Sequence, residues 1–347
     1  MTNSAINVLL VNDSIYMLKF LQDIINSDDG LRVVGTARDG IEALRRLPRL
    51  KPDVIVTDLE MPNLDGLSLI SKIMDDSPTP IIVVSSYGQE GSQIIFDCLE
   101  NGAIDFISLP HEKQHDISDF KQNLISKIYI AAKTNISKIK KLFLDRIKTD
   151  FIESTNESAK IIVVIGASTG GPRVVAKILS SLSPKVQAGF ILVQHMPKGF
   201  TDSYTKRLND YSKLSVKIAK DGDIIKQGQV LVAPADYHLM IVPPNYVYLD
   251  QSSKRFGVRP SINISMMTAS EVFEFKTIGV LLTGMGHDGG FGMKTIKQRG
   301  GKTIGQDKQS CVVFGMPEEA QKLNSVDRFV SDVDIAAAIE QEVSMLV

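Results

Sequence analysis

The segment that decides the fold is the apolar run Ile161–Ile165, IIVVI, followed by Gly166–Pro172, GASTGGP. An apolar run that stops at glycines predicts a buried strand, a tight turn and then a helix. The turn has Gly-x-Ser-x-Gly spacing, and its glycines let the Ser168 hydroxyl project from the carboxyl end of the strand. The following helix N-terminus adds free N–H groups and a positive dipole. This pattern favours a nucleophilic serine, and a phosphate-binding or simply tight loop is the alternative.

Length and composition predict two globular domains. A chain of 347 residues corresponds to two domains of about 150 residues each, and 43% hydrophobic residues can fill two cores. No signal peptide is recognisable, and no apolar run approaches the roughly 20 residues of a membrane span. A net charge of −1 gives no general attraction to nucleic acid or anionic membranes. Because Cys98 and Cys311 lie far apart without other metal ligands, we expect reduced thiols in a cytoplasmic protein with no nucleic-acid partner and no membrane insertion.

Two regions alternate short aliphatic runs with amphipathic stretches. In the first, from residue 6 to about 116, strands are predicted at Val8–Val11, Leu31–Gly35, Asp53–Thr57, Ile81–Val84 and Ala103–Ile107. Strands separated by helices predict a parallel, doubly wound sheet. The second region begins near Lys160, and its clearest predicted strands are Ile161–Ile165, Phe190–Val193, Val230–Val232, Tyr246–Leu249 and Ile278–Leu282.

A different pattern separates these regions. From Asp119 to Asp150, apolar residues recur at helical spacing, which predicts one long amphipathic helix or two, through Ile125, Ile128, Ala132, Ile136, Ile139, Phe143 and Ile147. A solvated helix that closes the first domain is favoured over a membrane-surface helix. Glu153–Ser158 is polar and predicts a linker. We therefore expect a first domain over residues 5–125, a helical and polar linker over 126–158, and a second domain over 159–347.

Oxygen-bearing side chains follow the strands of the first predicted sheet. Asn12 and Asp13 end the first strand, Asp58 ends the third and Ser85 ends the fourth. These positions converge at the carboxyl edge, where open parallel sheets bind ligands. Two carboxylates and a carbonyl suit Mg²⁺, which keeps several waters and needs few protein ligands. Asp58 could then accept a phosphoryl group while the metal neutralises its charge.

Ser168 needs a base, because a neutral hydroxyl is a weak nucleophile. Of the three histidines in the second region, His195 directly follows a predicted strand, which places it at the edge of the sheet that carries the serine. Asp288 follows another strand and is the candidate that would orient the imidazole. A backbone N–H near Met285 is a candidate oxyanion donor. The order serine, histidine, aspartate differs from that of α/β-hydrolases, which disfavours that family.

The first region resembles response-regulator receiver domains over about residues 5 to 125, through Val8–Asp13, Asp58–Gly66, Ser85–Ser86 and Gly102–Pro110. The resemblance implies a flavodoxin-like fold in which Asp58 accepts a phosphoryl group from a histidine kinase, Asp13 and Asp58 hold Mg²⁺, and Ser85 bonds the phosphoryl oxygen. Two positions depart from the family. Asn12 replaces an acidic residue, and Leu109 replaces a lysine that would pair with the phosphate. Weak Mg²⁺ binding is expected, and a receiver that no longer switches by phosphorylation is the alternative.

From about Lys160 to the end, the chain resembles chemotaxis protein-glutamate methylesterases, through Gly166–Gly171, Gln194–Thr201, Ala233–His238, Arg259–Ser261, Leu282–Gly286, Asp288–Gly289 and Ser310–Pro317. The resemblance implies a Rossmann-like serine hydrolase without a cofactor of its own. Such enzymes demethylate glutamate γ-methyl esters on chemotaxis receptors, often with a second activity on glutamine. The catalytic trio carries over as Ser168, His195 and Asp288. Thr169 and Met285 match active-site positions of the family.

The sequence therefore favours an α/β protein of two doubly wound parallel-sheet domains, a receiver and a methylesterase joined by a helical linker, in which the receiver covers the ester site until it is switched. One alternative is a catalytically silent, receptor-binding scaffold with a degraded receiver, against which the intact Ser168, His195 and Asp288 argue. Another is a dinucleotide-binding oxidoreductase. In that class Ser168 would stand where the second glycine of Gly-x-Gly-x-x-Gly must approach the pyrophosphate.

Overall fold

A computed structural model describes residues 5–85, 92–110, 114–136, 139, 142 and 157–347. The chain divides into two compact units, Met1–Phe143 and Leu144–Val347. Each unit has its own parallel sheet flanked by helices, which confirms the predicted α/β class. Within the described ranges, no helix combines the length and the apolar character needed to cross a bilayer.

The first unit is built on five parallel strands in the order β2-β1-β3-β4-β5. The strands are β1 (Ile6–Val11), β2 (Leu31–Ala37), β3 (Val54–Thr57), β4 (Ile81–Ser85) and β5 (Asp105–Ser108). The helices are α1 (Ile15–Ile25), α2 (Gly40–Leu50), α3 (Gly66–Asp76), α4 (Ser92–Glu100) and α5 (Gln114–Lys133). The direction in which successive strands are added reverses between β1 and β3. A doubly wound sheet binds ligands at such a point.

Side-chain caps fix where three helices of this unit begin. Ser14, Asp39 and Asp65 precede α1, α2 and α3, and each accepts a hydrogen bond from the backbone N–H three residues later. These bonds satisfy donors that the first helical turn leaves unpaired. The start of α1 is thereby held directly after β1, beside the predicted phosphorylation site.

The helix predicted over 119–150 has different bounds, because α5 begins at Gln114 and ends at Lys133. Buried Leu124, Ile128 and Ala131 pack it on the first unit. The helix closes at Thr134, whose N–H bonds the Ala131 carbonyl, and the Thr-Asn pair is a poor helix former. Residues 143–156, which lie within the predicted linker, are outside the described residues. The boundary at 125 falls inside α5, and the three domain ranges remain a prediction.

The second unit is built on seven parallel strands in the order β14-β13-β12-β6-β7-β9-β8. The strands are β6 (Ile162–Ala167), β7 (Gly189–Gln194), β8 (Ser215–Ile218), β9 (Gln229–Val232), β12 (Thr277–Leu281), β13 (Lys302–Gln306) and β14 (Arg328–Val330). The helices are α6 (Gly171–Ser181), α7 (Thr201–Tyr211), α8 (Ile262–Phe273), α9 (Gly290–Gln298), α10 (Met316–Lys322) and α11 (Ile335–Leu346), with a 3₁₀ turn at Glu274–Lys276.

One predicted strand lies in a different sheet. Tyr246–Leu249 was expected in the parallel sheet, but β11 (Tyr246–Asp250) pairs antiparallel with β10 (His238–Val242) in a separate hairpin. Pro243 and Pro244 join the two strands, and proline favours a turn because it cannot donate to a strand ladder. The hairpin packs against α8.

Two glycines of the deciding segment allow close packing around the serine turn. A Cβ on Gly166 would lie 2.4 Å from Ile262 Cγ2, so α8 packs directly against the end of β6. Gly170 has a φ of 76°, and a Cβ there would lie 2.6 Å from Val312 Cβ. The start of α8 and the loop before α10 therefore both approach the residues around Ser168.

Candidate active site

The predicted nucleophile, base and acid lie after adjacent strands of the seven-stranded sheet. Ser168 follows β6 and His195 follows β7, and the N–H of His195 donates to the Ala167 carbonyl at 2.9 Å. Asp288 lies in the loop between β12 and α9. Because β12 and β7 flank β6, the three residues gather where the order of strands reverses.

His195 and Asp288 are in direct contact. His195 Nε2 lies 2.9 Å from Asp288 Oδ2, and Asp288 is only 3% exposed. The start of α8 supplies three further donors to this carboxylate, namely Ser261 Oγ at 2.9 Å, the Ile262 N–H at 2.6 Å and the Asn263 N–H at 3.0 Å. A helix N-terminus stabilises an anion through these N–H groups and its dipole. Asp288 is thereby fixed as a buried anion that faces the imidazole.

The electrostatic environment keeps the Asp288 carboxylate ionised. Burial acts to raise the pKa of Asp288, but the hydrogen bond and charge of His195 and the Asn263 and Ile262 N–H groups outweigh it, so the pKa lies below its usual value. The carboxylate is therefore ionised at neutral pH and can only accept hydrogen bonds. In the neutral imidazole the Nε2 atom carries the proton, and Nδ1 is left as the basic nitrogen.

Ser168 is half-buried, and its backbone is tightly held. Its N–H donates to the Thr283 carbonyl at 3.1 Å, and its carbonyl accepts from Gly171 N–H at 2.8 Å and from Gln194 Nε2 at 2.9 Å. In the part of the chain that the structure describes, the Ser168 hydroxyl has no hydrogen-bond partner. The hydroxyl is therefore available to a substrate and to the base.

Gln194 is a positioning residue that the sequence analysis did not identify. Its buried Nε2 donates both to the Ser168 carbonyl and to the His195 carbonyl, the latter at 3.0 Å. One amide thus fastens the backbone of the nucleophile and the backbone of the base. The available signal was its place at the end of an aliphatic strand, directly before His195.

The loop after β12 lies against Ser168. A Cβ on Gly284 would come within 2.7 Å of Ser168 Cβ. The next residue, Met285, has a side chain that is 39% exposed, and its N–H meets no acceptor among the described residues. Thr169 is buried, and its carbonyl accepts from Thr283 Oγ1 at 3.0 Å. Met285 therefore follows the residue that lies against Ser168, and its N–H is free of acceptors in the described part of the chain, while Thr169 ties the serine turn to this loop.

The other two histidines of this unit occupy different environments. His238 is completely buried, with Nδ1 accepting from the Ser261 N–H at 3.1 Å and Nε2 lying 3.2 Å from the Ser253 carbonyl. His287 is exposed and pairs with Glu319 at 3.3 Å. His195 is therefore the histidine that combines an acidic partner with a position beside Ser168.

In the first unit, Asn12 contacts the predicted phospho-acceptor. Asn12 Nδ2 donates to Asp58 Oδ2 at 2.7 Å, and the Leu59 N–H donates to Asp58 Oδ1 at 2.6 Å. Burial raises the pKa of Asp58, and the negative charge of exposed Asp13 adds to this effect against the backbone N–H groups. A cation would relieve this repulsion, so the residues fit Mg²⁺. Within the described ranges no cluster of three or more His, Cys, Asp or Glu side chains could hold a metal, which leaves two carboxylates with backbone and water oxygens.

The remaining receiver residues lie at the same edge. Ser85 is buried at the end of β4, and its carbonyl accepts from the Leu109 N–H at 2.9 Å. Leu109 follows β5 and presents an aliphatic side chain where a lysine would pair with a phosphoryl group. The arrangement joins the predicted acceptor, metal ligand and switch serine at one sheet edge without that cation.

The fold and the site are those of a hydrolase joined to a receiver. A family model described as CheB methylesterase matches residues 163–339, and one described as response regulator receiver domain matches residues 8–119. The protein-glutamate methylesterase/protein-glutamine glutaminase of Pyrococcus abyssi is 41% identical, with 100% of this chain and 96% of the relative aligned. The Thermotoga maritima protein of the same description is 44% identical over 92% of this chain and 93% of the relative.

A solved structure supports the same assignment. The Thermotoga maritima CheB methylesterase catalytic domain is 42% identical with a TM-score of 0.51, and the match covers 52% of this chain and 97% of that one. The chain belongs to the CheB methylesterase family, in the form that carries a receiver domain. The predicted family, fold class and enzyme class are confirmed, and neither the silent scaffold nor the oxidoreductase is supported.

Proposed function

We propose that the second unit hydrolyses γ-methyl esters of glutamate residues in chemotaxis receptors, with Ser168 as nucleophile, His195 as general base and Asp288 as the group that orients the base. The observation that carries this proposal is the 2.9 Å contact between His195 Nε2 and the buried Asp288 carboxylate. This contact fixes the imidazole and leaves Nδ1 to take a proton from Ser168.

The reaction proceeds through an acyl-enzyme. Ser168 Oγ bonds to the ester carbonyl carbon while its proton passes to His195 Nδ1, and the Met285 N–H stabilises the oxygen that becomes negative. The bond from carbon to the methoxy oxygen breaks, His195 returns the proton to that oxygen, and methanol leaves. Water then attacks the same carbon and gives a proton to His195. The bond to Ser168 breaks, Ser168 regains its proton, and a glutamate is released.

The same residues are suited to glutamine. The side-chain amide of glutamine has the shape of the ester, and His195 can protonate the departing nitrogen so that ammonia leaves in place of methanol. The names of the relatives combine both activities. We therefore propose glutamine deamidation as a second activity of the same site.

We propose that the protein is cytoplasmic and that its first unit regulates the esterase. A chemotaxis histidine kinase supplies the phosphoryl group, Asp58 accepts it, and Ser85 bonds the phosphoryl oxygen. Asp13 and Asp58 would hold Mg²⁺, which neutralises charge during this transfer. In this proposal the unphosphorylated receiver inhibits the esterase, and phosphorylation relieves the inhibition. Since Leu109 supplies no cation, the coupling between phosphorylation and activity is weak.

The test of this function is methanol release from membranes that carry methylated receptor. Wild-type protein should release methanol, and Ser168→Ala should reduce the rate by at least about 10³-fold because only the attacking oxygen is lost. Ser180→Ala is the matched control, since Ser180 is a serine of α6 whose hydroxyl donates to the Lys177 carbonyl within the same helix. A folded Ser168→Ala protein that releases methanol at the wild-type rate would overturn the proposed role of Ser168.

A further inference from the structure

The proposed reaction assigns no role to the motifs Ala233–His238 and Arg259–Ser261. The two motifs contact each other next to Asp288. His238 begins β10, and Ser261 immediately precedes α8. The Ser261 N–H donates to His238 Nδ1 at 3.1 Å, and both residues are completely buried. The two motifs therefore join at one hydrogen bond, directly behind Asp288.

This bond fixes the protonation state of His238. A backbone N–H can only donate, so Nδ1 must be the acceptor towards Ser261. The Ser253 carbonyl can only accept, so Nε2 must carry the proton. A neutral ring with a proton on Nε2 satisfies both contacts, and no other form does. The ring is thus held at both nitrogens and holds Ser261 in turn.

Ser261, which His238 holds in place, is hydrogen-bonded to Asp288. Its Oγ donates to Asp288 Oδ1 at 2.9 Å, while the opposite carboxylate oxygen faces His195 Nε2. The hairpin also holds α8 further along, where Ser265 Oγ donates to the Leu239 carbonyl at 2.6 Å. Among the hydrogen bonds that join the hairpin to α8 in the described residues, the one between His238 and Ser261 lies at the start of the helix, which touches the carboxylate.

We infer that His238 is a positioning residue for the esterase: through Ser261 it sets the start of α8, and with it the orientation of Asp288 towards His195. The inference rests on the proposed roles of His195 and Asp288. Because His238 is completely buried and acts through Ser261, we expect its loss to lower kcat and to leave KM nearly unchanged.

Two polar replacements separate the contacts of His238. His238→Asn keeps an acceptor at the position of Nδ1, whereas His238→Gln keeps a donor at the position of Nε2. We expect His238→Asn to retain kcat within about threefold of the wild type, and His238→Gln to lose about tenfold or more, the effect of one buried hydrogen bond. Ser265→Ala is the control, and it should lower the melting temperature without lowering kcat.

Ser261→Ala tests the same path without changing His238. It should lower kcat about tenfold, and adding His238→Gln should cause little further loss. In NMR spectra of the full chain, the proton that His195 Nε2 shares with Asp288 should shift in Ser261→Ala and His238→Gln, but not in Ser265→Ala.

Three results would overturn the inference: His238→Gln matching the wild type, His238→Asn losing as much kcat as His238→Gln, or Ser265→Ala lowering kcat equally. Failure of the proposed triad is distinguishable, because Ser168→Ala would then retain esterase activity whatever the His238 variants do.

Discussion

Each unit carries an aspartate at the carboxyl edge of a parallel sheet, half-buried Asp58 in the first and buried Asp288 in the second. The two environments shift the pKa of the aspartate in opposite directions. In the receiver, burial and the charge of Asp13 raise the pKa of Asp58. In the esterase, burial also acts to raise the pKa of Asp288, but His195 and the start of α8 outweigh it. The difference lies in the donors that surround each carboxylate.

The hydrogen-bond donors around each carboxylate determine what that carboxylate can do. Asp288 accepts four hydrogen bonds and is a fixed anion that orients a neighbouring group. Asp58 accepts from Asn12 and from the Leu59 and Glu60 backbone N–H groups, but burial and the like charge of Asp13 outweigh these donors, so its negative charge is poorly compensated. A poorly compensated carboxylate can bind a cation and accept a phosphoryl group. A fully compensated one cannot do so without losing its partners.

The largest expected effect comes from Asp288→Asn, which removes the negative charge that orients His195. The amide cannot accept at every position where α8 and His195 donate, so kcat should fall by about 10³-fold or more. Asp327→Asn is the matched control, because Asp327 is an aspartate of the same unit that bonds Thr303 away from the serine. It should lower the melting temperature and leave kcat unchanged. Equal losses of kcat in both variants would contradict the account.

Placing a cation at position 109 of the receiver should strengthen the effect of phosphorylation on the esterase. Leu109→Lys would supply a charge-assisted hydrogen bond to a phosphorylated Asp58, worth about 1.5–3 kcal/mol, or roughly tenfold or more in coupling. We therefore expect weak activation of the wild type by a small phosphodonor with Mg²⁺, and stronger activation of Leu109→Lys. Asp58→Asn is the control without an acceptor. Large wild-type activation that is lost in Asp58→Asn would show that the missing lysine does not matter.

Removing the receiver tests whether it inhibits the esterase. A chain without residues 1 to about 150 should hydrolyse the ester faster, by roughly fivefold or more if the coupling is of ordinary size. The measurement is methanol release by the two chains at equal concentration, with folding checked by circular dichroism. A slower, folded catalytic unit would show that the receiver assists.

The smallest effect is the dependence of stability on pH. As pH falls from neutral through the raised pKa of Asp58, the folded receiver takes up a proton that the unfolded chain does not, so this group adds stability in acid. Asp58→Asn should therefore raise the melting temperature of the first unit at pH 7, and the gain should disappear in acid. Asp288 has the opposite sign, because its contribution is present above the ordinary aspartate pKa and is lost as pH falls through its lowered value. Calorimetry that found Asp58→Asn destabilising at pH 7 would contradict this assignment.

Local sequence patterns predicted the central strands well. Val8–Val11 and Ile161–Ile165 overlap β1 and β6 because long aliphatic runs are buried on both faces of a parallel sheet. The same pattern does not say which sheet a strand joins, and Tyr246–Leu249 was misplaced for that reason. The apolar spacing after residue 133 likewise continues past a Thr-Asn pair that ends α5.

The candidate site was predicted only in part. Strand ends brought Ser168, His195 and Asp288 together, since position after a strand is visible in the sequence. The donors from Ser261 to Asn263 were not predicted, because they reach Asp288 only through the packing of α8 on Gly166. The contact of Asn12 with Asp58 was also missed, although the same substitution was recognised as the loss of a charge.

The coupling between Ser168 and His195 can be measured directly by a double-mutant cycle on methanol release. If Ser168 and His195 act as one unit, then Ser168→Ala and His195→Gln should each abolish nearly all hydrolysis, and the double variant should lose little beyond the larger single loss. If the two residues acted independently, the fold-loss of the double variant would be the product of the two single fold-losses. That result, in folded proteins, would contradict the proposal that His195 is the base that activates Ser168.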